Sequence, residues 1–396
     1  MQHPHLKQQD HHQNDEECDD ERDHKLLIEA LSNATRVVEN ESFDPNNDDK
    51  NGDDDDQQQD KQQHRYHPTG IDLRTELEKR WNDLIVATTT TDATKAKAVS
   101  SSELEGDGTK YNSSCSSSSS FWFQKLYDQH NESGRYYHTM VHLWEMFQLL
   151  DILSSSTSTT SSTSLSTTPA STSSYYIPMA WAIFFHDVVY DPKSNQNEKD
   201  SAKLFHEFYN TYYCNEEEQE QRNNMRMRIM DDVTFETIST MIIATEKHEV
   251  LPVLSTTQQQ QQQQRLLPTT TEKPSGEEED DDDDDDEIEY ILQMQRYFLD
   301  IDMTVLGKRQ NAYLKYASLI RKEFAFVPRD VYCTKRAEIL ETFLGDGSPG
   351  SSSSKKDKKH IYLTKTFQEA FEERAKTNLR EDINLLRKNI IPGEKE

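Results

Sequence analysis

Five tracts of low complexity interrupt this chain of 396 residues and limit what it can fold into. Residues 1–68 are rich in Asp, Gln, Asn and His, residues 99–119 run through Ser and Gly to NSSCSSSSS, and residues 153–174 are almost wholly Ser and Thr. Residues 252–287 hold seven consecutive Gln and then EEEDDDDDDDE, and residues 345–359 read GDGSPGSSSSKKDKK. Segments this polar cannot bury enough apolar surface to offset the entropy of ordering them, so disorder is expected there. About 220–240 residues remain, the size of one domain. The expected organisation is a disordered acidic and Gln-rich tail over 1–68, then one domain over 69–392 broken by the four inner tracts.

The net charge of −29 follows the same division. Residues 1–63 carry 19 acidic and 6 basic side chains, and residues 277–289 carry 12 acidic and no basic ones, which leaves the rest near −4. No stripe of Lys and Arg crosses that remainder, so direct nucleic-acid binding is not expected. The cysteines (Cys18, Cys115, Cys214 and Cys333) are far apart with no CxxC pair. Neither a disulfide framework nor a thiolate zinc site is therefore expected. The segment MQHPHLKQQDHH lacks the apolar core of a signal peptide, and no run of 18 apolar residues occurs, so no membrane association is expected. The expected location is the cytoplasm, with the nucleus as the alternative. The Gln, Ser and acidic tracts suit contacts with protein partners.

The remaining pieces carry helical periodicity. GIDLRTELEKRWNDLIVA (70–87) spaces Leu73, Leu77, Trp81, Leu84 and Ile85 at helical intervals, and YYHTMVHLWEMFQLLDIL (136–153) aligns Val141, Trp144, Phe147, Leu150 and Leu153. Residues 178–190 are apolar nearly all round, as in a buried central helix. A further helix is expected after Asn195, with Glu198 completing a capping box. Others are expected over 235–250, 288–307, 310–326, 330–344 and 364–389. No segment alternates like a half-buried strand. The fold class is all-α.

One feature of that core is chemically demanding. AWAIFFHDVVYDP (180–192) places His186 and Asp187 at the end of a strongly apolar run. Burying an ionised carboxylate without a partner is costly. Other helices bring matching groups to their apolar faces: His138 and His142 four apart, His248 along the Ile238, Ile242 and Thr245 stripe, and Asp302 between Leu299 and Leu306. Any one of these fits a hydrogen-bonded core residue or a cap. Together, imidazoles and carboxylates without thiolate form a site for a divalent ion such as Mn²⁺, Fe²⁺, Ni²⁺, Zn²⁺ or Mg²⁺. An ion there compensates the charge of Asp187.

The stretches RYYHTMVH, AWAIFFHDVVYDPKSNQNEKDSA, IIATEKH and YFLDIDMTVLG occur in that order, followed by YLKYASLIRKEFAFV and ERAKTNLREDI. In this combination the chain resembles the metal-dependent phosphohydrolases of the HD superfamily over most of residues 70–390. The resemblance implies an HD-domain-like helical bundle with a metal in its core. It matches His142 to the first His of the pattern, His186 and Asp187 to the central doublet, and Asp302 or Asp300 to the last Asp. Residues two apart on a helix point about 200° from each other, so an unbroken helix favours Asp302 and turns Asp300 outward, within reach of Arg296.

Hydrolysis of a phosphate ester, such as a nucleotide, is the activity so implied. Asp187 then both ligates the ion and takes a proton from water, while His138 or His248 donates to the leaving oxygen. Arg135 is the first candidate for holding the substrate phosphate, followed by Lys247, Arg321 and Lys322. Two readings compete: a di-iron oxygenase, in which His138 and His248 complete a six-ligand site, and a non-catalytic protein that binds metal or nucleotide.

Overall fold

The computed structural model describes residues 22, 24–34, 70–99, 112–156, 175–213, 232–252, 282–345 and 359–394. Most of the acidic tail and the middle of each low-complexity tract lie outside the described residues. Among the described residues the regular structure is helical, and no strand forms. No helix among them is long and apolar enough to cross a membrane.

The helices in chain order are α1 (24–34), α2 (Leu73–Val99), α3 (Asn112–His130), α4 (Met140–Ser156), α5 (Tyr176–Phe185), α6 (Asn197–Tyr213) and α7 (Asp232–Ala244). They continue with α8 (Asp282–Asp302), a 3₁₀ turn (Met303–Gly307), α9 (Gln310–Glu323), α10 (Arg329–Leu344) and α11 (Lys365–Leu386). The apolar run at 178–185 is buried throughout and forms the axis of the bundle. Helices α2, α4, α6 and α7 surround it. Trp181 meets the edge of Trp81 with ring centroids 5.1 Å apart, and Phe184 lies 4.9 Å from Phe147. Phe208 of α6 closes the cluster 5.0 Å from Trp181.

In a second layer α9 and α11 pack on the 3₁₀ turn, and α10 packs on α11. Gly307 permits that approach, since a Cβ there would lie 2.6 Å from Phe371 Cβ and 2.7 Å from the Tyr362 hydroxyl oxygen. Helix α11 also satisfies carbonyls freed where α8 ends. Asn378 donates to the carbonyls of Leu306 and Lys308, and Arg374 donates to that of Gly307.

Several boundaries differ from the sequence expectation. The supposed tail contains α1, whose Leu31 is wholly buried and whose Leu27, Ile28 and Ala34 pack on the core. Its short helical spacing is hidden by the polar residues around it. The Ser tract at 99–119 gives up residues 112–119 to α3, and Ser119 accepts the indole N–H of Trp81 at 3.0 Å. Helix α4 runs three residues past Leu153, with Ser154 buried, and α8 begins inside the acidic run at Asp282. The capping box at Asn195 does not form. Helix α6 starts at Asn197, whose side chain instead accepts from the Asp191 N–H and donates to the Asp191 carbonyl.

Candidate metal centre

The residues of the site sit at helix ends, where side chains and freed backbone groups are both available. Helix α5 stops at Phe185, earlier than the expected 190, because Arg135 captures the carbonyls of Asp187 (2.6 Å) and Val188 (2.8 Å). His186 is the last residue with helical backbone there, and its N–H still donates to the Ala182 carbonyl. Ser201 of α6 then accepts the Val189 N–H at 3.1 Å. Helix α4 starts at Met140, so His142 lies in its first turn and His138 precedes it. Helix α7 ends at Ala244, where Thr245 donates to the Ile242 carbonyl. His248 follows with φ of +52°, in the left-handed region, a conformation that costs a non-glycine residue roughly 1–2 kcal/mol.

These ends converge. The donor atoms of His142, His186 and Asp302 all lie within 4.8 Å of one another, the one such group among the described residues. His142 Nε2 is 3.3 Å from His186 Nε2 and 3.1 Å from Asp302 Oδ1, and His186 Nε2 is 3.9 Å from that same oxygen. Asp187 Oδ2 borders the trio, 3.0 Å from His186 Nε2 and 3.9 Å from His142 Nε2. Donors held about 2.0–2.2 Å from one ion sit roughly 3–3.5 Å from each other, so nitrogen and carboxylate ligands at these spacings fit a divalent cation. The other oxygen of Asp302 meets His248 Nε2 at 3.0 Å.

Outer partners fix how the rings present themselves. The Nδ1–H of His186 donates to the Ile183 carbonyl at 3.0 Å, which leaves the Nε2 lone pair facing the trio. Tyr137 places its hydroxyl 3.2 Å from Nδ1 of His142. The electrostatics favour a cation. Burial works against a charged His186, yet the adjacent Asp187 pushes its imidazole up to about 9. Burial likewise opposes ionisation of Asp302, but the hydrogen bonds from His142 and His248 hold its carboxyl well below the usual range. Asp187 is held low in the same way by His186 and His138.

Of the residues expected from sequence, His142, His186, Asp187, His248 and Asp302 come together. Asp300 does not. It is buried rather than outward, and its carboxylate accepts from the N–H of Leu363 (2.7 Å) and the N–H and hydroxyl of Thr364 (2.8 and 2.6 Å). Helix α8 is covered on two sides, so residues two apart both find buried partners, Asp302 at the centre and Asp300 at the start of α11. Arg296 pairs with Glu289 instead.

The expected phosphate ligands fare worse. Arg135 is buried, its guanidinium clamps backbone carbonyls, and it presents no free face to a phosphate. Half-buried Arg321 spends one Nη on the carbonyls of Phe324 and Val327. Lys247 is exposed beside His248, and exposed Lys322 lies 5.6 Å over the Tyr136 ring. His138 does not share a helical face with His142. Its Nδ1 lies 2.8 Å from Glu323 Oε2.

Sequence reasoning missed Glu323, the hydrogen bonds of Asn197 and Ser201, and the contact of Tyr137 with His142. Asn197 and Ser201 lie in the NEKDSA stretch, which carried the family resemblance and a helix start but assigned no role to either residue. No protein-family model, curated protein or solved structure matches the chain.

Proposed function

We propose that the protein is a metal-dependent phosphohydrolase of the HD type that cleaves a phosphate ester, a nucleotide being one candidate. The observation that carries the reading is the clustering of His142, His186 and Asp302 with Asp187 at its border, the His186 ring held from behind by the Ile183 carbonyl and the His142 ring by the Tyr137 hydroxyl. A divalent ion held by these residues supplies charge neutralisation for the phosphoryl oxygens and acidifies a water molecule. Asp187, 18% exposed at the border of the trio, is placed to accept that water's proton. His138, its ring 6.2 Å from that of His142, and His248, 3.0 Å from Asp302, are the candidate proton donors for the leaving oxygen.

The test is metal analysis of the purified protein, then phosphate release from a panel of phosphomonoesters and nucleotides with Mn²⁺, Fe²⁺, Ni²⁺, Zn²⁺ or Mg²⁺. Chelation is expected to abolish release, and Asp187→Ala to remove it. Full turnover by Asp187→Ala would refute the assignment.

A second reading, a di-iron oxygenase, draws on Asp302. Its two oxygens face His142 and His248 separately, as a carboxylate bridging two ions would. Two irons per chain with substrate-dependent oxygen uptake would favour it over hydrolysis.

A further inference from the structure

One buried carboxylate in the second layer makes more hydrogen bonds than packing requires. Glu323 ends α9, and its side chain is wholly buried. Its Oε1 accepts the backbone N–H groups of Tyr136 (2.8 Å), Tyr137 (2.7 Å) and His138 (3.1 Å). Its Oε2 takes His138 Nδ1 at 2.8 Å and the Tyr190 hydroxyl at 2.8 Å. Five donors thus surround one carboxylate, and they come from the two segments that flank the metal centre. The His138 ring lies 4.3 Å from the Tyr190 ring at 31°, so its plane is set as well as its direction.

The chemical consequence concerns the other ring nitrogen. A carboxylate only accepts, so it forces the proton of neutral His138 onto Nδ1 and stabilises the doubly protonated ring. Among the described residues Nε2 of His138 has no hydrogen-bond partner, and the ring is partly exposed, 6.2 Å from that of His142. His248, the competing donor, has its Nε2 committed to Asp302.

We propose that Glu323 is a positioning residue that holds His138 as the proton donor to the leaving oxygen of the phosphate ester. The proposal rests on the phosphohydrolase reading and assigns a donor that the reading leaves open between two histidines. In the step, a water oxygen forms a bond to phosphorus while the bond from phosphorus to the ester oxygen breaks. That ester oxygen takes the Nε2 proton of the doubly protonated His138, which is left neutral with Nδ1–H on Glu323, and Asp187 takes the proton of the attacking water. Return of that proton from Asp187 to His138 through solvent completes hydrolysis to alcohol and phosphate.

The test uses the full-length metal-loaded protein and two esters of unequal leaving group, p-nitrophenyl phosphate and a nucleoside 5′-monophosphate. In Glu323→Gln the amide oxygen can still accept backbone N–H groups, but the amide nitrogen presents hydrogens to His138 Nδ1 and reverses its tautomer. Turnover of the nucleotide is expected to fall about 100-fold or more, and that of the aryl ester, whose leaving group needs no proton, less than about fivefold. His138→Ala should show the same split, and the double variant should be no worse than the poorer single one. Nitrogen chemical shifts of His138 should report protons on both Nδ1 and Nε2 in the wild type and a neutral ring in Glu323→Gln.

Equal losses on both esters, additive effects in the double variant, or an unchanged protonation state of His138 would overturn the proposal. Should Glu323→Gln fail to fold, His138→Ala carries the leaving-group test by itself. A wild type that hydrolyses neither ester with any metal refutes the phosphohydrolase reading and the donor role together. A wild type active on both, with no split in the variants, refutes the donor role only.

Discussion

The two aspartates of FLDID offer the sharpest test of the site, since they are two residues apart and do unlike things. Asp302→Asn replaces a carboxylate that faces His142 at 3.1 Å and His248 at 3.0 Å. Losing an outer partner of a metal ligand typically costs 10–100-fold in affinity, so losing the charge of a ligand itself should cost at least about 100-fold, or ~2.7 kcal/mol. Asp300→Asn touches no donor of the trio. It leaves a single amide oxygen, with two lone pairs, against the three donors of Leu363 and Thr364, so one of them must face an amide hydrogen.

A buried donor left unsatisfied costs about 1–3 kcal/mol, which for a domain of this size lowers the melting temperature by roughly 2–12 °C. The assay is Mn²⁺ titration by calorimetry alongside thermal unfolding of the same two variants. The expected pattern is a double dissociation: Asp302→Asn loses metal, and Asp300→Asn loses stability with Mn²⁺ affinity within about threefold of wild type. Metal loss in Asp300→Asn at unchanged melting temperature would refute the placement of both carboxylates.

Arg135→Lys should lower Mn²⁺ affinity by about 10-fold, since Lys cannot hold the Asp187 and Val188 carbonyls with one planar group, while inhibition by inorganic phosphate stays the same. Weaker phosphate inhibition at unchanged metal affinity would restore Arg135 as a phosphate ligand. Glu323 would be driven up by burial, but His138 and the backbone donors hold it at about 2, below its ordinary 4.5. Its contribution to stability is therefore complete above about pH 4.5 and is lost as the pH falls towards 2, on the order of 3 kcal/mol in all. Urea unfolding at pH 7 and pH 3 should show a shallower acid loss in Glu323→Gln. Chelation should lower the melting temperature and Mn²⁺ should restore it in proportion to the logarithm of its concentration, as for any ligand of the native state alone. Replacing residues 157–174 and 253–281 by short Gly/Ser linkers should leave melting temperature and metal binding nearly unchanged, because each doubling of loop length costs only ~0.6 kcal/mol. A fall above 10 °C would show that those segments contribute to the fold.

The all-α class, the buried axis at 178–185 and the inward turn of His142, His186 and Asp302 could be read from the order of residues alone. Those features depend on periodicity, and helical periodicity is a local property: Phe298, Leu299 and Asp302 share a side of α8 whatever packs against it. The apolar run before His186 and Asp187 likewise announces that any charge at its end needs compensation. Helix ends and cation roles were not legible in this way. Arg135 and Lys247 look alike in sequence, yet one is spent on the carbonyls at 187–188 and the other stays in solvent. Nothing near Glu323 in the chain signals its partners, which lie more than 130 residues away. Asp300 was misplaced because a helix covered on two sides has no outer face for it, and whether a helix is so covered depends on where α11 returns. Local pattern determines which side of a helix is apolar, whereas the partners of a buried polar group are chosen by long-range packing, since every such group must find a donor or acceptor wherever the chain supplies one.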